Sequence, residues 1–211
     1  DFHRGIPQSW GLDSALEVDA ERGISGFTLE SIGAGPAMTA SLVPLPAAEL
    51  GKVMAEYRHL AACLCLVPDR PGGVVKTGSG RPVIRYEADG DTRSRMRTAL
   101  KTAARIYLAA GAREVRVPAV GAPAMRTDAE VEGIDALPLR SCEIPLISAH
   151  PQGTCRMAGL SQGGVVGLDF ALRDAEALYV CDASLFPTTA STHTMIPTMA
   201  MAHLLADSLG A

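Results

Sequence analysis

Two histidines in the C-terminal third constrain this chain most, because each heads a chemically dense segment while the rest of the sequence is quiet. His150 opens His150-Pro151-Gln152-Gly153-Thr154-Cys155-Arg156-Met157. His193 stands in Ser191-Thr192-His193-Thr194-Met195-Ile196-Pro197-Thr198, shortly after Val180-Cys181-Asp182-Ala183-Ser184-Leu185-Phe186-Pro187. The apolar run 144–149, followed by the breakers Pro151 and Gly153, predicts a histidine at the end of a strand entering a turn. A ring held there meets the requirement for a general base near neutral pH. His193 precedes a helix predicted from about Thr194 to Leu209, with Pro197 near its first turn, where a missing N–H costs least. Free N–H groups and the positive end of the dipole gather at such a start, which makes it a ready anion site. Asp182, at the end of a predicted strand, suits a ribose-like hydroxyl or a cap.

The remaining composition narrows the class. With 211 residues the chain can bury a core as one domain or two small ones. A net charge of −4 gives no general attraction to nucleic acid or anionic membrane. No apolar run approaches the roughly 20 residues of a membrane span, and no signal peptide is expected. The chain begins at Asp1, so it is read as processed, trimmed, or one piece of a longer product. Five cysteines, an odd number without C-x-x-C spacing, are read as small buried residues of a reducing compartment, with no metal site. A cytoplasmic location follows as an expectation.

Along the chain, residues 1–45 read as a strand around Gly26-Phe27-Thr28-Leu29 embedded in loops, without a long helical period. Leu50, Val53, Met54 and Tyr57 predict a helix over 47–60, and residues 61–67 form a compact apolar run. Residues 74–77 and 81–87, flanking Gly78-Ser79-Gly80, predict a hairpin. The clearest helix spans about 91–110, with Asp91 or Thr92 as N-cap and Gly111 as its stop. Its basic row, Arg93, Arg97, Lys101 and Arg105, reads as a solvated face. A strand is expected over 114–117, and 118–145 loses periodicity, as a long surface connection would. His3, His59 and His203 carry no pattern that points to chemistry. Gly33-Ala34-Gly35-Pro36 is a lone GxG without a preceding apolar strand, so it is rejected as a nucleotide loop.

These residues also carry a resemblance. His-Pro-x-Gly-Thr-Cys-Arg-Met is similar to the first histidine segment of the glucose–methanol–choline (GMC) family of FAD-dependent oxidoreductases. The stretch 178–188 resembles that family's flavin-contacting segment. Ser191-Thr192-His193-Thr194-Met195 resembles its third, where members carry His or Asn before the final helix. Gly80–Tyr86, the long helix and Ala109-Ala110-Gly111-Ala112-Arg113 are more weakly similar. Two departures stand out: the family usually has Asp near Gly167, and a Gly within 174–177. Its N-terminal Rossmann fingerprint is absent from the sequence.

The resemblance implies an α/β fold. Residues 1–146 would form a substrate-binding domain, an antiparallel sheet with flanking helices. Residues 147–211 would complete an FAD-binding domain with one strand and the last helix. It further implies FAD as cofactor and a second polypeptide, or a severed portion, carrying the Rossmann part. His150 would take the proton of a small-molecule alcohol, and His193 would hold the substrate oxygen. The Thr194 and Met195 amides would face the flavin N1/C2=O edge, with Asp182 and Ala183 along the ribityl–pyrophosphate. The competing expectations are a hydroxynitrile lyase that keeps FAD without redox turnover, and a non-catalytic accessory chain.

Overall fold

The computed structural model describes residues 11–14, 18–19, 23–24, 26–70, 72–190 and 193–210; His3, Ser191 and Thr192 lie outside them. In chain order the elements are strands β1 (Gly11–Asp13), β2 (Val18–Asp19), β3 (Gly23–Ile24) and β4 (Thr28–Ile32), then helices α1 (Pro36–Leu42) and α2 (Ala47–Ala55). Strands β5 (Ala62–Leu66), β6 (Val74–Gly78) and β7 (Arg81–Arg85) follow, and then helices α3 (Gly90–Ala109), α4 (Asp128–Val131) and α5 (Met195–Leu209). All pairing between these strands is antiparallel. This is a mixed α/β fold. The chain divides into two compact units, one of residues 1–17, 26–67 and 87–146, the other of 18–25, 68–86 and 147–211.

In the first unit a three-stranded sheet of order β1-β4-β5 packs against α3. Strand alternation puts Phe27 and Leu29 on the helix side, and the helix meets them with Ala99 and Ala103, one turn apart. Two alanines let the backbones approach closely, and Ala99 is fully buried. Cys63, Cys65 and Val67 follow the same alternation and pack on this core. Cys65 shares a hydrogen bond with Cys63 that raises the Cys65 thiol and lowers that of Cys63. Burial, with the neighbouring thiols adding to it, pushes the Tyr107 hydroxyl up to about 12. All five cysteines are free, and among the described residues no three potential metal ligands cluster.

Helix α3 begins one residue before Asp91. Its N-cap is Asp89, whose Oδ1 accepts from the Thr92 N–H at 2.7 Å, because Gly90 already adopts the helical turn. Gly111, at φ +92°, ends it as expected. The basic row lies at the surface, with Arg105 exposed, but its side chains also hold a neighbouring element. Arg97 Nη2 donates to the Leu137 carbonyl at 2.7 Å, and Lys101 Nζ reaches Asp135 at 2.8 Å and Glu132 at 3.3 Å. Arg105 Nε donates to Asp128 at 2.8 Å and a second nitrogen pairs with Glu132. The acceptors belong to α4 and the 3-10 turn Glu132–Ala136, an element absent from the sequence-based expectation. Its start was nonetheless legible: Thr127 and Glu130 form a reciprocal capping box, the T-x-x-E pattern. Val131 and Ile134 anchor it in the core.

Other expectations also change. Gly35-Pro36 leads into the short α1, with the proline at the first helical position. The predicted 47–60 helix ends at Ala55 and continues as a 3-10 turn, Tyr57–His59. No strand forms over 114–117, 144–149 or 178–182; isolated bridges at Val115↔Met125 and Ala171↔Tyr179 are what the first and last retain. Apolar composition alone does not make a strand without a continuous ladder partner. Opposite Tyr179 lies a turn-rich stretch that offers only one residue.

The second unit contains the β6–β7 hairpin, closed through Ser79 and Gly80 at φ +50° and +74°. Its core is Val166, Phe170 and Leu185, packed by Met157, Val180, Met201 and Leu205. Helix α5 has no buried residue: Met195, Ile196, Met199, Leu204 and Leu209 are all more than half exposed. No described helix is long and apolar enough to cross a membrane. Replacing Leu29 by Ala removes the centre of the first unit's core and is expected to cost about 2–5 kcal/mol. The measurement is the denaturant midpoint; a change below about 1 kcal/mol would contradict this packing.

Candidate active site

Two backbone bonds decide where the histidines stand. Cys155 N–H donates to the Ser184 carbonyl at 3.1 Å and Met157 N–H to the Leu185 carbonyl at 2.9 Å. They fasten the segment after His150 alongside the segment that leads to His193. Between them Gly153 turns the chain at φ +79°, and a Cβ there would lie 3.5 Å from the Phe186 carbonyl oxygen. Leu185, fully buried, seats this seam in the core.

At the end of the seam His193 Nδ1 lies 3.2 Å from His150 Nε2. The ring centroids are 4.9 Å apart and the planes meet at 73°, edge to face. One nitrogen donates and the other accepts according to the tautomers. His150 is half-buried and His193 exposed, so the pair opens to solvent on one side. Gln152 joins the loops: its Nε2 donates to the His150 carbonyl at 3.2 Å, and its Oε1 accepts from the Ala190 N–H at 3.0 Å. Thr189 Oγ1 in turn donates to Asp69 at 2.9 Å. Neither Gln152 nor Asp69 is distinguished in the sequence, because their partners are backbone groups or distant residues.

Directly after His193, buried Thr194 caps α5 and its carbonyl accepts from Thr198 N–H at 2.9 Å. Pro197 occupies the third helical position and has no N–H, so the amides without an acceptor inside the helix are those of Thr194, Met195 and Ile196. Asp182 and Ala183 sit at the other end of the seam. Asp182 caps a 3-10 turn, Ala183–Leu185, through the Ser184 N–H at 2.7 Å, and does not end a strand. The Ser184 hydroxyl and, after it, this N–H hold its carboxyl below the ordinary value. Asp182 Oδ1 is thus committed to the turn, on an exposed residue. The departure at Gly167 has a local cause. Asp169 folds back to accept from Ala171 N–H at 3.2 Å, and its Oδ1 fills the space a Cβ at 167 would need.

Residues 71–202 match the family described as GMC oxidoreductase. An uncharacterised GMC-type oxidoreductase of Mycobacterium tuberculosis is 30% identical over 97% of this chain and 31% of its own length. A long-chain-alcohol oxidase of Arabidopsis thaliana is 29% identical over 94% of this chain and 28% of its length. An FAD-dependent oxidoreductase structure from Chaetomium thermophilum has a TM-score of 0.49 and 20% identity, covering 82% of this chain and 34% of that one. The chain belongs to the GMC oxidoreductases, whose cofactor is FAD, and it spans about a third of the length of the curated relatives it matches.

Replacing Asp182 by Ala is expected to lower stability near neutral pH by about 1 kcal/mol, the usual loss of a cap. Because the folded carboxyl is held low, its contribution is present above the unfolded carboxylate range and is lost as pH falls through the lowered value. Denaturation midpoints of the two proteins should therefore converge in acid. A gap that persists there would exclude the capping role.

Proposed function

We propose that this chain is the catalytic half of an FAD-dependent alcohol oxidase or dehydrogenase, oxidising a CH–OH group to an aldehyde or ketone. The observation that supports it is the 3.2 Å contact of His193 Nδ1 with His150 Nε2, set directly before the N-terminus of α5. An alcohol oxygen at hydrogen-bond distance from both nitrogens completes a triangle with them. His150 Nε2 then accepts the hydroxyl proton, and His193 Nδ1–H donates to the same oxygen and holds it in place. Proton removal drives electron density from oxygen toward the carbon–oxygen bond.

FAD, when bound, supplies the acceptor for the α-hydrogen and its electron pair. The residues fit such a group. Free amides at the head of α5 suit the negative charge that grows at the flavin N1/C2=O edge on reduction. The Thr194 and Met195 amides would take this role, with that of Ile196 beside them. Thr194 is buried at the N-cap position, and its carbonyl accepts the first bond of the helix from Thr198 N–H. The exposed Asp182, with Ala183, would lie along the ribityl–pyrophosphate.

On this reading residues 1–146 carry substrate selection, and residues from about 147 onward complete the FAD-binding domain. The Rossmann portion comes from another segment or a second polypeptide. The exposed apolar side chains of α5 support this, since such a helix wants cover. Anaerobic mixing of the assembled, FAD-loaded protein with an alcohol should bleach the flavin. Bound flavin that stays oxidised across primary, secondary and aryl alcohols would sink the proposal and favour lyase chemistry. His150→Ala should slow flavin reduction by about 10²–10⁴-fold with FAD retained. His193→Asn, which keeps a hydrogen-bonding amide, should lose less; the reverse order would exchange the two roles.

A further inference from the structure

We propose that Gln152 is a positioning residue that sets the spacing of the two imidazoles, an inference that rests on the assignment of His150 and His193 as the proton-handling pair. Its side chain contacts neither ring. Its amide instead spans the two loops that carry them, donating from Nε2 to the His150 carbonyl and accepting at Oε1 from the Ala190 N–H, three residues before His193. A primary amide is suited to this task, since one end must donate and the other accept. An acid, hydroxyl or alkyl group of similar reach supplies at most one of these contacts at neutral pH.

The surroundings explain why the clamp matters. His193 is exposed, and its ring contact with His150 is the one that brings the two loops together through side chains that must also meet substrate. When an alcohol oxygen joins the pair, the ring-to-ring hydrogen bond is given up or shared. The loops then keep their separation only through contacts that do not involve the rings. Gln152 supplies one such contact across the loops, to Ala190, and fixes its own side chain by the bond to the His150 carbonyl; the Thr189–Asp69 hydrogen bond ties down the residue next to Ala190. Gly153 contributes the left-handed turn that follows Gln152. The Gln152 side chain is half-buried, so the clamp is partly shielded from water.

The test compares the unsubstituted, FAD-loaded protein with Gln152→Leu and Gln152→Glu. Leu keeps bulk and removes both hydrogen bonds; Glu keeps the acceptor for Ala190 and sets a carboxylate against the His150 carbonyl. Two readouts are taken: the Nδ1–Nε2 separation in crystal structures, and kcat and KM normalised to reducible flavin. Expected are a ring separation increased by about 1 Å and a kcat lowered about 10- to 100-fold, the usual cost of such a displacement. KM should change by less than about threefold, because substrate binding elsewhere is untouched. Gln152→Glu should fall between the other two. Unchanged ring separation in either folded variant overturns the proposal, as does a loss confined to KM. Failure of the alcohol-oxidation reading itself shows differently: the unsubstituted protein would not reduce its flavin, while the ring separations would still respond to Gln152.

Discussion

The seam of two backbone hydrogen bonds, from Cys155 and Met157 to Ser184 and Leu185, is the constraint on which the second unit's chemistry depends. It joins the segment after His150 to the segment before His193, and it does so next to a fully buried leucine. Backbone bonds of this kind are modest individually, each of the order of 1 kcal/mol net. Their value here is geometric. Everything placed at the end of the seam, from the rings to the helix start, inherits its register.

The first unit shows the same economy with charge. Arg97, Lys101 and Arg105 lie at the surface but also seat a short acidic element whose apolar residues, Val131 and Ile134, are buried. Exposed pairs contribute little singly. Together with the capping box they give a periodicity-poor stretch one defined path across the helix. The core beneath is conventional, with alternate strand residues meeting alanines one helical turn apart.

Function and fold meet at the head of α5. The helix is rich in apolar side chains, none of them buried, and finds too little cover within its own unit. Its start bears amides without a helical acceptor beside two imidazoles. An exposed, largely apolar helix with free amides at its start fits the role in closing a cofactor domain proposed above.

The sequence by itself determined the local chemistry. Both histidine motifs, the glycine turn between strands β6 and β7, the long amphipathic helix with its glycine stop, and family membership were all legible. Each is written in contiguous residues or in a fixed period. Much of the rest depended on partners far along the chain. Whether 144–149 and 178–182 become strands turns on a neighbour that offers a ladder, and neither found one. Whether a basic row also holds a neighbouring element turns on an acidic segment some thirty residues away. The approach of His193 Nδ1 to His150 Nε2, and the amide of Gln152 that bridges their loops, exist only once the seam has closed. Long-range hydrogen bonds leave no trace in composition, since any backbone group can make them. That is why the tertiary structure alone decided the geometry of the site.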